Sequence, residues 1–152
     1  MIYSTKTLKM AVMGDPIDHS LSPFLHGAVI EEHGYDALYI PVRVAPEETE
    51  DFAKAAVRMG FCGFNATMPH KIRLLQVVDE LDEKAALYRS VNTVRIRGGV
   101  LTGSNTDVDG LLAALDGRGV QPEGMNVMII GAGGVAGALT RGFSNRGASS
   151  VT

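Results

Sequence analysis

Hydrophobic and polar positions along this chain switch repeatedly between the two-residue period of strands and the longer period of helices. Residues 9–14, KMAVMG, form a short apolar run that stops at Gly14, and the DPIDHSLSP that follows is dense in turn formers. A buried strand and a loop are expected there. Ser22 and Pro23 read as an N-cap and a proline at the first helical position, with Leu25, Val29 and Ile30 on one face of a helix running to Gly34. Alternation in ALYIPVRV predicts a second strand, and Pro41, which donates no ladder hydrogen bond, points to an edge or a bulge. Pro46, Glu47 and Glu48 open a second helix whose Phe52, Ala55, Ala56 and Met59 share a face before Gly60.

The next stretch predicts a strand near 61–66, a short helix from Pro69 through Val78 and another helix over 79–88. SVNTVRI and VLTGSN read as two strands joined at Arg97, Gly98 and Gly99, a glycine pair suited to a tight hairpin. The fold class expected is α/β: a mostly parallel open sheet with helices on both faces over residues 1–105, followed by the first βα unit of a Rossmann-type domain over 106–152. In that second part Leu111, Leu112 and Leu115 make an apolar helical stripe. NVMIIGAGGVAGALTRGF then reads as a buried strand, a glycine-rich turn and a helix, and ASSVT as the start of another strand. A cofactor domain needs several such units, so the chain is expected to be a fragment of a longer protein.

Composition narrows the function classes. The 152 residues are 45% hydrophobic and 20% charged, enough apolar material for a packed core. A net charge of -3 with scattered lysines and arginines gives no footprint for nucleic acid. No signal peptide or membrane-length apolar run is present, and Cys62 is the only cysteine, so a cytoplasmic protein without internal disulfides is expected. His19, His26, His33 and His70 lack zinc-site spacing, so no metal is expected.

Four stretches carry candidate chemistry. Gly131, Ala132, Gly133, Gly134, Val135 and Ala136 fit G-x-G-x-x-A at a strand-to-helix turn, where the backbone can approach a pyrophosphate; a tight turn without a ligand is the alternative. Asn65, Thr67 and Lys71 gather an amide, a hydroxyl and an ammonium, and Asn105, Thr106 and Asp107 add an amide and a carboxylate, a set able to bind a polyol. A lysine in a partly closed cleft can do acid-base work with an aspartate beside it. The alternatives are a solvated surface lysine for Lys71 and a helix N-cap for Asp107. Ser20 and Ser22, at a helix start, suit a small carboxylate, with plain capping by Ser22 as the alternative. Cys62 reads as a small buried apolar residue.

Taken in order, GDPIDHSLSPFLH, GFNATMPHK, SVNTVRIRGGVLTGSNTDVDG and IIGAGGVAGA resemble the shikimate dehydrogenase family over nearly the whole chain. That resemblance implies reversible reduction of 3-dehydroshikimate to shikimate, usually with NADPH, in the route to chorismate and the aromatic amino acids. It implies that Ser20 and Ser22 hold the substrate carboxylate and that Asn65, Thr67, Asn92 and Asp107 contact ring hydroxyls. Lys71 and Asp107 are then the catalytic pair, with Lys71 exchanging the hydroxyl proton, and the glycines at 131, 133 and 134 form the diphosphate turn. The family commonly has Asn at Gly27, Val at Ala66 and Ala at Ser90; none of these departures removes a catalytic group.

The expected partners are a small-molecule substrate and NADP, with NAD possible, in a monomer or homodimer bound to neither nucleic acid nor membrane. Three alternatives stand beside this: a quinate or quinate/shikimate dehydrogenase using NAD, a substrate-binding module that turns nothing over, and a doubly wound domain whose polar loops are only structural.

Overall fold

A computed structural model describes residues 3–133 and 135–152. The first unit is built on a six-stranded mixed sheet. β1 (Leu8–Gly14) lies between β2 (Ala37–Arg43) and β3 (Phe61–Ala66), parallel to both; β5 (Thr93–Arg97) joins β3 antiparallel, β6 (Val100–Ser104) continues the hairpin, and β4 (Glu80–Leu81) closes the far edge parallel to β6. The sheet is therefore mostly parallel, with an antiparallel hairpin inserted on one side. Pro41 sits on the edge strand β2, as its missing donor predicts. Gly98 and Gly99 both take positive φ, 60° and 85°, in the two-residue hairpin turn.

Strand alternation decides what each face of the sheet packs. Ala11 and Met13 of β1 join Ala53 and Ala56 of α2 (Thr49–Arg58), with Phe64, Ala66, Leu74, Val91 and Val94, in the main core. Val12, with Ala37 and Tyr39 of β2, faces the other way and meets Ile30 of α1 (Ser22–Glu32). Helices thus cover both faces. The expected apolar face of α1 is not buried as a whole, because Leu25 and Val29 are exposed and only Ile30 reaches the core.

Two predicted helices resolve differently. Residues 69–78 form turns and a 3-10 segment at Arg73–Gln76, since the Lys71 carbonyl accepts from Val91 N at 2.9 Å instead of continuing a helix. The helix expected over 79–88 divides into β4 and α3 (Glu83–Tyr88). Asp82 caps α3, its Oδ1 accepting from Ala85 N at 2.7 Å, and Asp79 exchanges hydrogen bonds with Leu101 on β6. Short acidic side chains that bond nearby backbone favour such ends over a helix interior.

The second unit holds α4 (Asp107–Asp116), β7 (Asn126–Val127), α5 (Ala136–Asn145) and β8 (Ser150–Val151), with β7 and β8 parallel. The buried strand predicted before the glycine turn is only two residues long, and Met128 and Ile130 are exposed, because no described element packs over them. A third core cluster joins Tyr88 at the end of α3 to Val108, Leu112, Ala138 and Phe143, so it crosses the boundary drawn after Asn105.

Candidate active site at the junction of the two units

Three connections bring the polar residues together. The loop after β3 is fastened to the end of β1: Thr67 N donates to Met13 O at 2.9 Å and Asp15 N to Met68 O at 3.1 Å. Beneath it His70 is fully buried, with Nδ1 2.8 Å from Thr49 Oγ1. The Thr49 hydroxyl gives its proton to Pro46 O at 2.6 Å, so His70 Nδ1 carries the hydrogen of the shared bond. Burial lowers the imidazole pKa, with the Val44 carbonyl and Asp15 opposing, so the ring is held neutral. His70 anchors the next residue, Lys71, to the start of α2.

Lys71 Nζ donates to Asp107 Oδ2 at 2.7 Å, and both side chains are largely shielded, at 14% and 27% exposure. This excludes the solvated surface lysine. Asp107 is the first residue of α4 and not its cap; its backbone N donates to Asn105 Oδ1 at 3.1 Å, which leaves both carboxylate oxygens for other partners. Asn92 Nδ2 donates to Asp107 Oδ1 at 2.7 Å and to Thr106 Oγ1 at 3.0 Å, so both of its amide hydrogens are engaged.

Asn65 on β3 donates through Nδ2 to Thr93 Oγ1 at 2.9 Å and accepts from Tyr39 Oη at 2.7 Å. Burial pushes the Tyr39 phenol up to about 12, with the Ser22 side chain opposing, so it stays a proton donor. Ser22 is the first residue of α1 and caps nothing; Leu21 holds the cap position without a side-chain bond. Ser20 Oγ, on the loop after β1, accepts from Ser22 N at 3.3 Å, and both serines are half-buried.

A cleft of about 640 Å³ opens beside Lys71 and runs to the glycine-rich turn, lined by Thr67, Met68, Ile129, Gly131, Gly133 and Val135 among others. Ala136 lines it as well, whereas Ala132 is not among its walls, and Gly134 lies outside the described residues. The turn suits a diphosphate on three counts. Gly131 adopts φ +114°, and among the described residues nothing lies within 4 Å of where a Cβ on Gly131 or Gly133 would sit and no side chain caps the start of α5. A smaller hollow of about 420 Å³ touches Asn65, Tyr39, Thr93, Thr106, His26 and Arg95 on the sheet.

Lys71, Asp107, Asn92 and Asn65 therefore join one hydrogen-bonded network, and Thr67 shares the cleft with Lys71. Ser20 and Ser22 approach from the α1 side without lining either hollow. Sequence reasoning missed Tyr39 and Thr93. The available signal was a tyrosine at an inward strand position, where a buried phenol needs a partner. Cys62, expected to be buried, is half-buried and lines the smaller hollow; burial raises its thiol, which donates to Lys9 O at 3.3 Å. No described helix is long and apolar enough to cross a membrane.

The family model of the shikimate dehydrogenase substrate binding domain matches residues 12–94. A shikimate dehydrogenase (NADP(+)) of Nitrosopumilus maritimus is 44% identical over 142 residues, covering 93% of this chain and 52% of that protein. The crystal structure of shikimate 5-dehydrogenase from Listeria monocytogenes with shikimate and NAD superposes with a TM-score of 0.89 at 33% identity, covering 98% of this chain and 52% of that one. The ligand-free 5-ketofructose reductase of Gluconobacter sp. strain CHM43 gives 0.86 at 34% identity, covering 97% and 53%. The chain spans about half the length of the curated relatives it matches.

Proposed function

The chain belongs to the shikimate dehydrogenase family, and from that premise we propose that it supplies the substrate domain and the opening of the cofactor domain of an NADP-linked shikimate dehydrogenase. The substrate domain runs over residues 1–105 and the cofactor part over 106–152. The reaction is the reversible reduction of 3-dehydroshikimate to shikimate, feeding chorismate and aromatic amino acid synthesis. The enzyme acts on a small molecule, as a monomer or homodimer, in the cytoplasm.

The observation that carries this reading is the shielded Lys71–Asp107 pair at 2.7 Å, whose lysine lines a cleft that Gly131 and Gly133 also line. Gly131 and Gly133 would hold the cofactor's diphosphate, and the bound cofactor would supply a hydride as NADPH in reduction and accept one as NADP+ in oxidation. In reduction the Lys71 ammonium gives a proton to the ketone oxygen as it gains charge, and Asp107 holds the lysine in line. In oxidation a neutral Lys71 takes the hydroxyl proton back. Ser20 and Ser22 take the substrate carboxylate from the α1 side, while Asn65, Thr67, Asn92 and Asp107 order the ring hydroxyls.

A second reading has its own support: the likeness to 5-ketofructose reductase shows this fold at 34% identity in an enzyme named for a different polyhydroxy ketone. One assay separates the readings. The full-length protein is given shikimate, quinate and 5-ketofructose, each with NADP(H) and NAD(H), and nicotinamide absorbance is followed. Shikimate with NADP is expected to dominate kcat/KM; dominance of 5-ketofructose or quinate would overturn the substrate assignment, and dominance of NAD the cofactor.

A further inference from the structure

The network around Asn65 has a hydrogen-bond polarity that can be deduced from one fixed backbone donor. Thr106 N–H points at Asn92 Oδ1, 3.0 Å away, and a backbone amide can only donate, so Asn92 faces its carbonyl oxygen that way. Thr93 Oγ1 lies 2.9 Å from the same oxygen and must spend its single proton there. The Thr93 hydroxyl is then an acceptor toward Asn65, 2.9 Å away, which fixes Asn65 with Nδ2 toward Thr93 and Oδ1 toward the Tyr39 phenol. The second hydrogen of Asn65 Nδ2 goes to Asn92 O at 3.3 Å. Both amide hydrogens of Asn65 are thereby committed, and one lone pair of Oδ1 remains.

We propose that Thr93 is a positioning residue that holds Asn65 as an acceptor only, so that the pocket selects a ligand carrying a donor hydroxyl at that point. Thr93 acts through Asn65, with Tyr39 holding the opposite side of the amide. The proposal rests on the polyol-binding reading above. Replacing the hydroxyl by a methyl of the same shape leaves Asn92 held by the Thr106 backbone, so the Lys71–Asp107–Asn92 arrangement persists. Asn65 is then left with only the longer 3.3 Å contact to the Asn92 carbonyl to oppose turning of its amide, and where it turns, Tyr39 changes from donor to acceptor. A turned Asn65 offers the ligand hydroxyl a donor where it needs an acceptor, and a mismatched buried polar contact weakens binding.

The test uses the full-length protein with Thr93→Val and Thr93→Ser. Thr93→Val is expected to raise KM for shikimate about tenfold while kcat stays within about twofold, because the substitution disturbs ligand contact and leaves the proton-transfer pair in place. Thr93→Ser keeps the hydroxyl and is expected to return KM to near wild type. In ¹⁵N-labelled protein without ligand, the Asn65 side-chain amide signals should move in Thr93→Val and stay in place in Thr93→Ser. A KM for Thr93→Val within about twofold of wild type, or unmoved Asn65 signals, overturns the proposal. A wild-type protein inactive on shikimate overturns the reaction assignment instead, and the amide signals still decide the role of Thr93.

Discussion

Lys71 and Asp107 belong to different units of the chain, yet Nζ and Oδ2 stand 2.7 Å apart, and the other carboxylate oxygen is held by Asn92 at the same distance. The aspartate is fixed from two sides while the lysine keeps hydrogens for a ligand. Lys71→Ala in the full-length protein is expected to lower kcat by roughly 10²- to 10⁴-fold, the usual worth of a positioned acid or base. Asp107→Asn keeps the shape and removes the charge, and should also cut kcat. Steady-state oxidation of shikimate, with substrate binding by calorimetry as control, checks both. Turnover of Lys71→Ala near the wild-type rate would mean that the proton leaves by another group.

A pH dependence of stability follows from His70. Its folded-state pKa is lowered by burial below the ordinary 6.5, so the native state resists the proton that the unfolded chain accepts. The stabilising difference is present above the unfolded value and is lost as pH falls from 6.5 toward the folded value. Denaturant midpoints should therefore drop as the medium is acidified below neutrality, and His70→Gln should flatten that part of the profile at the cost of lower stability at pH 8. An unchanged slope in the variant would remove His70 from this role.

Ser90 is nearly fully buried, and its hydroxyl has no hydrogen-bond partner among the described residues. Ser90→Ala removes an unsatisfied polar group without opening a cavity of any size. The substitution is expected to raise stability by about 1 kcal/mol, read as a higher denaturant midpoint at constant slope. A loss of stability would show that the hydroxyl is bonded in solution.

Gly14 ends β1 directly against the loop that carries Lys71. A Cβ placed there would overlap Thr67 Cγ2 and come within 2.9 Å of Ile17 Cδ1. Gly14→Ala should cost about 1–3 kcal/mol as these side chains shift. Because Thr67 lines the cleft, KM for shikimate should rise as well. Thermal melts and kinetics together check this; an unaltered KM would separate Thr67 from the substrate.

The parts of this fold legible in the sequence were those set by local physics. Gly98 and Gly99 announce a hairpin, Pro41 an edge strand, and Ser22–Pro23 the start of a helix to within one position. The motifs bearing Lys71, Asp107 and Asn92 identify residues that the fold then joins. What stayed hidden depends on register. Thr93 meets Asn65 because β3 and β5 pair antiparallel with these two residues opposite one another, and no spacing in the chain encodes that pairing. The division of 79–88 into a strand and a capped helix was equally hidden, since it depends on Asp79 finding Leu101 across the sheet. Tyr39 was read only as a strand residue because the partner for its phenol lies 26 positions away.

The third core cluster has a mechanical consequence. Val108 and Leu112 of α4 pack with Ala138 and Phe143 of α5, so the helix that begins at Asp107 and the helix that follows the glycine turn share one core. Lys71, by contrast, is tied to the sheet through His70 and Val91. Tyr88 at the end of α3 belongs to the same cluster and Asn92 holds Asp107 from the sheet side, so the Lys71–Asp107 pair sits at a weld between two packed bodies: tertiary packing assembles it, and neither unit presents it alone.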